Sequence, residues 1–133
     1  MVHDPPVPES GFSFMQRLVD AFLNSARAWR HLIRHEAAFR QEMILLALAI
    51  PLGRLLASNW PGYALLIGSL LVLIMVEVLN TAIEAACNAA TRDFSPDIQI
   101  AKDCGSLAVF IAVLLAAGAW GMALWQRLAA LNL

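Results

Sequence analysis

The chain has 133 residues, of which 60% are hydrophobic and only 14% are charged, with a formal net charge of −1. Soluble domains are about 45–50% apolar and about 25% charged, and a globule this small could not hide so many apolar side chains from water. The composition excludes a soluble enzyme, a disordered tail and a disulfide-stapled secreted module, and the charge balance offers no basic excess for nucleic acid. We therefore expect a small integral membrane protein.

The first 35 residues consist of a proline-rich segment followed by a segment with a helical pattern. Residues 1–12 hold three of the six prolines and predict a disordered lead-in. Residues 13–133 are expected to form a single membrane-embedded domain. Within it, residues 14–35 place apolar side chains at helical spacing with arginines in the gaps, which predicts an amphipathic helix lying in the lipid headgroup layer.

Three apolar stretches follow and predict an all-α protein with three transmembrane helices after the surface helix, at about residues 37–57, 63–90 and 104–125. The first is the weakest, because charged residues lie near both of its ends and Pro51 lies inside it. Residues 58–62 are expected to form a tight turn with an interfacial tryptophan. Residues 91–103, which contain Pro96, are expected to form a polar loop.

The basic residues predict an orientation. Seven lysines and arginines precede the first span or lie in the 91–103 loop, whereas only Arg54 and Arg127 lie at the opposite ends of the spans. Because cytoplasmic segments carry the excess of basic residues, we expect the N-terminus and the 91–103 loop to be cytoplasmic. Three spans form a thin bundle that cannot easily supply partners for its polar side chains, which suggests a homo-oligomer.

Polar residues inside the spans carry the functional signal. Glu77, Asn80 and Glu84 share one helix face, because their spacings are three, four and seven. A charged group at membrane depth costs roughly 2.5–3.5 kcal/mol on insertion scales. At the same cytoplasmic interface we expect four further charged residues: Glu36, Arg40, Lys102 and Asp103.

This set of residues indicates phosphoryl transfer to a lipid. Clustered carboxylates suit a hard divalent cation, lysine and arginine suit a polyphosphate, and a deeper carboxylate can act as a general base. No P-loop or protein-kinase motif accompanies them. Structural explanations remain for the shallower groups, because Glu84 could be a solvated helix end and Glu36 could form a simple ion pair with Arg40. Glu77 is harder to explain by structure alone.

Three segments resemble the signature segments of the prokaryotic diacylglycerol kinase family: EAAFRQE at 36–42, VEVLNTAIE at 76–84 and AKDCGS at 101–106. The resemblance runs from about Phe14 to Trp125. It implies a homotrimeric helical bundle in the bacterial inner membrane. It also implies transfer of the γ-phosphoryl group of ATP, with Mg²⁺, to diacylglycerol, giving phosphatidate for phospholipid biosynthesis.

The resemblance also implies roles for individual residues. Glu77 corresponds to the general base, Glu36 and Glu84 correspond to ligands of the nucleotide-associated metal, and Asn80 supports Glu77. The implied ATP contacts are Arg17, Asn24, Glu36, Glu84, Asp93, Phe94, Ser95, Lys102 and Asp103. The implied lipid-substrate contacts are Arg17, Arg30, Ala38, Phe39, Arg40, Gln41, Glu42, Glu77 and Ser106.

The sequence departs from the family pattern at Asn24, Ala26, Asn88, Ser95 and Pro96, which touch nucleotide and lipid contacts. The lipid acceptor therefore stays open between diacylglycerol and undecaprenol, although residues 38–42 and 105–106 favour diacylglycerol. Two alternatives come from other classes. A small ion-relay transporter is disfavoured because no inverted repeat and no span broken by paired glycines is visible, and a non-catalytic membrane protein gives no reason for Glu77.

Overall fold

The computed structural model describes residues 13–131, and in this range all regular structure is helical. The helices are α1 (Phe14–His35), α2 (Ala37–Leu56), α3 (Trp60–Ala90) and α4 (Pro96–Leu131). The all-α prediction is confirmed, while the lead-in predicted at residues 1–12 lies outside the described residues. The helices divide into two compact units, with the boundary between His35 and Glu36.

The first unit contains α1, whose ends coincide with the predicted helix. Its start is fixed locally, because the Ser13 backbone N–H donates to Gln16 Oε1 at 3.1 Å and the Gln16 N–H donates to Ser13 Oγ at 3.3 Å. This reciprocal pair is a capping box. Arg34 and His35 lie in the last turn, where positive charge complements the helix dipole. The apolar side chains of Phe14 and Phe22 are largely exposed, as expected of an amphipathic helix.

The second unit is built around α3, which packs against both α2 and α4. Its buried core joins Ala49 of α2, Leu70 of α3 and Ala116 of α4, and the two alanines let the helix backbones approach closely. Trp120 packs on this core, and its indole N–H donates to the Leu66 carbonyl oxygen at 3.1 Å.

Two helices, α3 with 31 residues and α4 with 36, are long and apolar enough to cross a membrane. Much of their apolar surface is exposed, as at Leu65 and Leu115. Helix α2 does not qualify, because Arg40, Glu42 and Arg54 all lie within its 20 residues. The structure therefore supports an integral membrane protein with two spans by length and composition, and the third span stays a prediction.

The connections are shorter than the sequence predicts. The expected turn at 58–62 is only partly a turn, because α3 already begins at Trp60, where Asn59 caps the helix by accepting from the Gly62 N–H at 2.8 Å. The expected loop at 91–103 is also wrong beyond residue 95, since α4 begins at Pro96. In both places a proline lies in the first turn of the helix, where its missing N–H costs nothing.

Candidate active site

Four carboxylates, two at the start of α2 and two in the second half of α3, lie in one region of the second unit. Glu77 of α3 is only 9% exposed and is the one buried charged residue in the described range. Its charge interacts with those of Glu36 and Glu84, and also with that of Glu42. Like charges this close repel one another, so the arrangement suits a bound cation or a proton that moves.

The local structure explains how these carboxylates are presented. Glu36 is the N-cap residue of α2, but its side chain makes no capping hydrogen bond, so the carboxylate is not used by the helix end. Glu77 and Glu84 lie seven residues apart, which is about two helical turns on one face. Glu77 is buried whereas Glu84 is exposed. The shared face that the spacing predicts therefore has one buried carboxylate and one exposed carboxylate.

Asn80 lies between these two glutamates on α3. Its side-chain Nδ2 donates to Glu84 Oε1 at 3.2 Å, so its observed partner is Glu84, whereas the sequence suggested that Asn80 supports Glu77. The Oδ1 atom of Asn80 is buried and has no hydrogen-bond partner, and the same is true of Glu42 Oε2. Buried polar atoms without a partner are uncommon in native proteins, and here both belong to the predicted site.

A second part of the site is a cavity of about 660 Å³ where α3 ends and α4 begins. Four residues predicted to contact ATP line it: Asp93, Phe94, Ser95 and Lys102. Its volume lies within the range of small-molecule sites, roughly 300–1,000 Å³. The structure thus brings these four together from the 91–95 connection and the second turn of α4.

Hydrogen bonds hold both Lys102 and Asp103, the two predicted ATP contacts on α4. Lys102 Nζ donates to Asn88 Oδ1 on α3 at 2.8 Å, and Gln99 Nε2 donates to Asp103 Oδ1 at 2.8 Å. Sequence reasoning missed Gln99, and it noted Asn88 only as a departure from the family pattern. The signal for Gln99 was its spacing of four from Asp103, which the predicted loop concealed.

The remaining predicted residues lie on α1, on the first two turns of α2, and on α4. Arg17, Asn24 and Arg30 belong to the first unit, and Asn24 Oδ1 accepts from the side chain of Arg27. Phe39 is only 2% exposed, which places its ring in the protein interior. The other predicted lipid contacts outside α1 are at least partly exposed: Ala38, Arg40, Gln41, Glu42 and Ser106.

The carboxylates fit a magnesium ion that arrives with a nucleotide. Among residues 13–131, no three His, Cys, Asp or Glu side chains come close enough to form a complete metal site. Mg²⁺ is commonly held by one or two carboxylates together with substrate phosphates and water. Glu36, with its carboxylate unused by the helix cap, and the exposed Glu84 match that requirement.

Comparison with known proteins identifies the family. Residues 23–124 match the family described as prokaryotic diacylglycerol kinase. The chain belongs to this family. It is 36% identical to the diacylglycerol kinase of Escherichia coli K12 over 111 residues, which cover 84% of this chain and 91% of that protein. It is also 35% identical to the diacylglycerol kinase of Pseudomonas aeruginosa over 115 residues, covering 86% and 94%.

Family membership confirms two predictions made from the sequence. The protein is an enzyme of lipid metabolism, a membrane lipid kinase, and the resemblance found in its three segments is correct. The matched range includes Glu36, Glu77, Glu84 and Lys102, whereas Arg17 precedes it.

Proposed function

We propose that this protein phosphorylates diacylglycerol to phosphatidate with ATP and Mg²⁺ at the cytoplasmic face of the bacterial inner membrane. One observation carries the proposal: a buried carboxylate, Glu77, lies within charge interaction of Glu36 and Glu84 in a chain of the diacylglycerol kinase family. The hydroxyl group of a membrane lipid can reach the buried Glu77 carboxylate from the bilayer, whereas ATP reaches the site from the aqueous side.

Glu77 is the proposed general base. It accepts the proton of the lipid hydroxyl as that oxygen bonds to the γ-phosphorus and the bond to the leaving diphosphate oxygen breaks. A proton acceptor placed within hydrogen-bond reach typically contributes 10²–10⁴-fold to the rate. Burial suits this role, because it keeps water from competing with the lipid for the phosphoryl group.

The other charged residues bind and position the nucleotide. Glu36 and Glu84 would hold Mg²⁺, which, when bound, neutralises phosphate charge. Lys102, beside the cavity lined by Asp93, Phe94 and Ser95, contacts the phosphates, and Asp103 contacts ATP from the next position on α4. In phosphoryl transfer the protein mainly positions reactants and stabilises charge, so this division of labour is sufficient.

The proposed assembly is a homotrimer with three transmembrane helices per chain and α1 on the membrane surface. The exposed apolar side chains of α2, including Ile44, Leu48 and Leu55, support a membrane location for this helix. The family match does not distinguish diacylglycerol from undecaprenol as the acceptor. The relatives' names favour diacylglycerol, because both are named diacylglycerol kinase.

The test is a transfer assay with purified protein in mixed micelles. γ-Labelled ATP and Mg²⁺ are supplied with diacylglycerol in one arm and undecaprenol in the other. We expect labelled phosphatidate in the first arm and little product in the second. Transfer to undecaprenol alone would show that the protein is a lipid kinase with undecaprenol, not diacylglycerol, as its acceptor. The absence of labelled lipid in both arms, with folded protein, would refute the proposal.

A further inference from the structure

Helix α4 packs against the Asn80 side chain of α3 at a glycine. Gly105 is buried, and a Cβ atom built on it would overlap the Oδ1 atom of Asn80 far inside van der Waals contact. In contrast, a Cβ atom at Gly118 or Gly121 of the same helix would meet nothing within 4 Å. The space at Gly105 is therefore filled by the amide of Asn80.

The contact fixes the side chain that bonds Glu84. Asn80 Nδ2 donates to Glu84 Oε1 at 3.2 Å, while Oδ1 is buried against Gly105 without a hydrogen-bond partner. The amide cannot usefully turn over, because a carboxylate accepts hydrogen bonds and would then face a second acceptor. Any side chain at residue 105 must displace Asn80, and the hydrogen bond to Glu84 moves with it.

We propose that Gly105 is a positioning residue: it leaves the space in which the Asn80 amide holds Glu84 in place for the metal–nucleotide complex. The inference rests on the proposed function, since it gives Glu84 a role in nucleotide binding. Gly105 has no side chain with which to bind a substrate, so its proposed effect passes through Asn80.

A double-mutant cycle tests the inference, with the KM for MgATP and kcat measured separately. Gly105→Ala is expected to raise the KM for MgATP about tenfold, comparable to losing a hydrogen bond to a charged group, and to change kcat less. Asn80→Ala should raise KM by a similar factor. The double variant should match Asn80→Ala alone, because the added methyl group then occupies vacated space.

Gly118→Ala is the matched control and should leave KM and kcat unchanged. Melting of each variant in detergent is measured alongside, and there too Gly105→Ala should destabilise the wild type but not the Asn80→Ala background. The inference is overturned if the effects of the two substitutions on KM are additive, or if Gly105→Ala behaves like Gly118→Ala. It is also overturned if the double variant is as poorly folded as Gly105→Ala alone. If the wild type is inactive but the melting temperatures still show this coupling, the proposed function is refuted, whereas the steric contact between Gly105 and Asn80 is supported.

Discussion

Replacing Glu77 by glutamine removes a proton acceptor while keeping almost the same side-chain volume. Glu77 is 9% exposed and belongs to α3, so a smaller residue would leave a cavity and confuse loss of chemistry with loss of packing. Glutamine avoids this difficulty. It also removes one negative charge from a group in which Glu36, Glu42 and Glu84 interact with residue 77.

The expected magnitude follows from these two facts. Loss of a general base should lower kcat by about 10²–10⁴-fold, equivalent to about 3–5 kcal/mol of barrier. The stability of the fold should not fall, because a buried charge that faces other carboxylates costs free energy to keep. We expect an unchanged or raised melting temperature together with a nearly inactive enzyme. The KM for MgATP should change less than about threefold, since the residues proposed to hold the nucleotide remain.

The assay is labelled-phosphate transfer to diacylglycerol in mixed micelles, with detergent melting curves on the same preparations. Glu84→Gln is the informative comparison, because this exposed carboxylate is proposed to bind the metal and its loss should raise the KM for MgATP. A Glu77→Gln enzyme that retains more than about one tenth of the wild-type kcat would refute the assignment of Glu77 as the base. A melting temperature that falls sharply would instead show that Glu77 supports the fold.

Three further predictions concern the nucleotide site and the packing of the second unit. Lys102→Met should raise the KM for ATP about tenfold by removing a charged hydrogen-bond donor. Asn88→Ala removes only the partner of Lys102 and should raise the KM less. A larger increase in KM for Asn88→Ala than for Lys102→Met would contradict the assignment of Lys102 as the phosphate contact. Chelation by EDTA should abolish transfer and added Mg²⁺ should restore it, whereas full activity in EDTA would exclude the proposed metal. Trp120→Phe should lower the free energy of unfolding, measured by denaturant titration in micelles, by about 1 kcal/mol, because it removes the hydrogen bond to the Leu66 carbonyl oxygen. The kcat of this variant should be unchanged.

The sequence determined those features that depend on neighbours along the chain. The ends of α1 were predictable because its amphipathic pattern and its first-turn capping box are local, and the shared face of Glu77 and Glu84 follows from a spacing of seven. The family was also readable, since its three segments lie within the chain as continuous motifs. The same local reasoning fails at Pro96, because it predicts a loop where the proline begins a helix.

Only the tertiary structure decided which residues meet across helices. Three features depend on how α2, α3 and α4 pack. They are the hydrogen bond from Lys102 to Asn88, the close contact of Gly105 with Asn80, and the burial of Glu77. Helical periodicity fixes which side chains share a face, but the rotation and axial position of one helix against another depend on how their side chains interlock. For this chain, the amino-acid sequence specified an apolar protein with a few well-placed charges, and packing determined which of those charges act together.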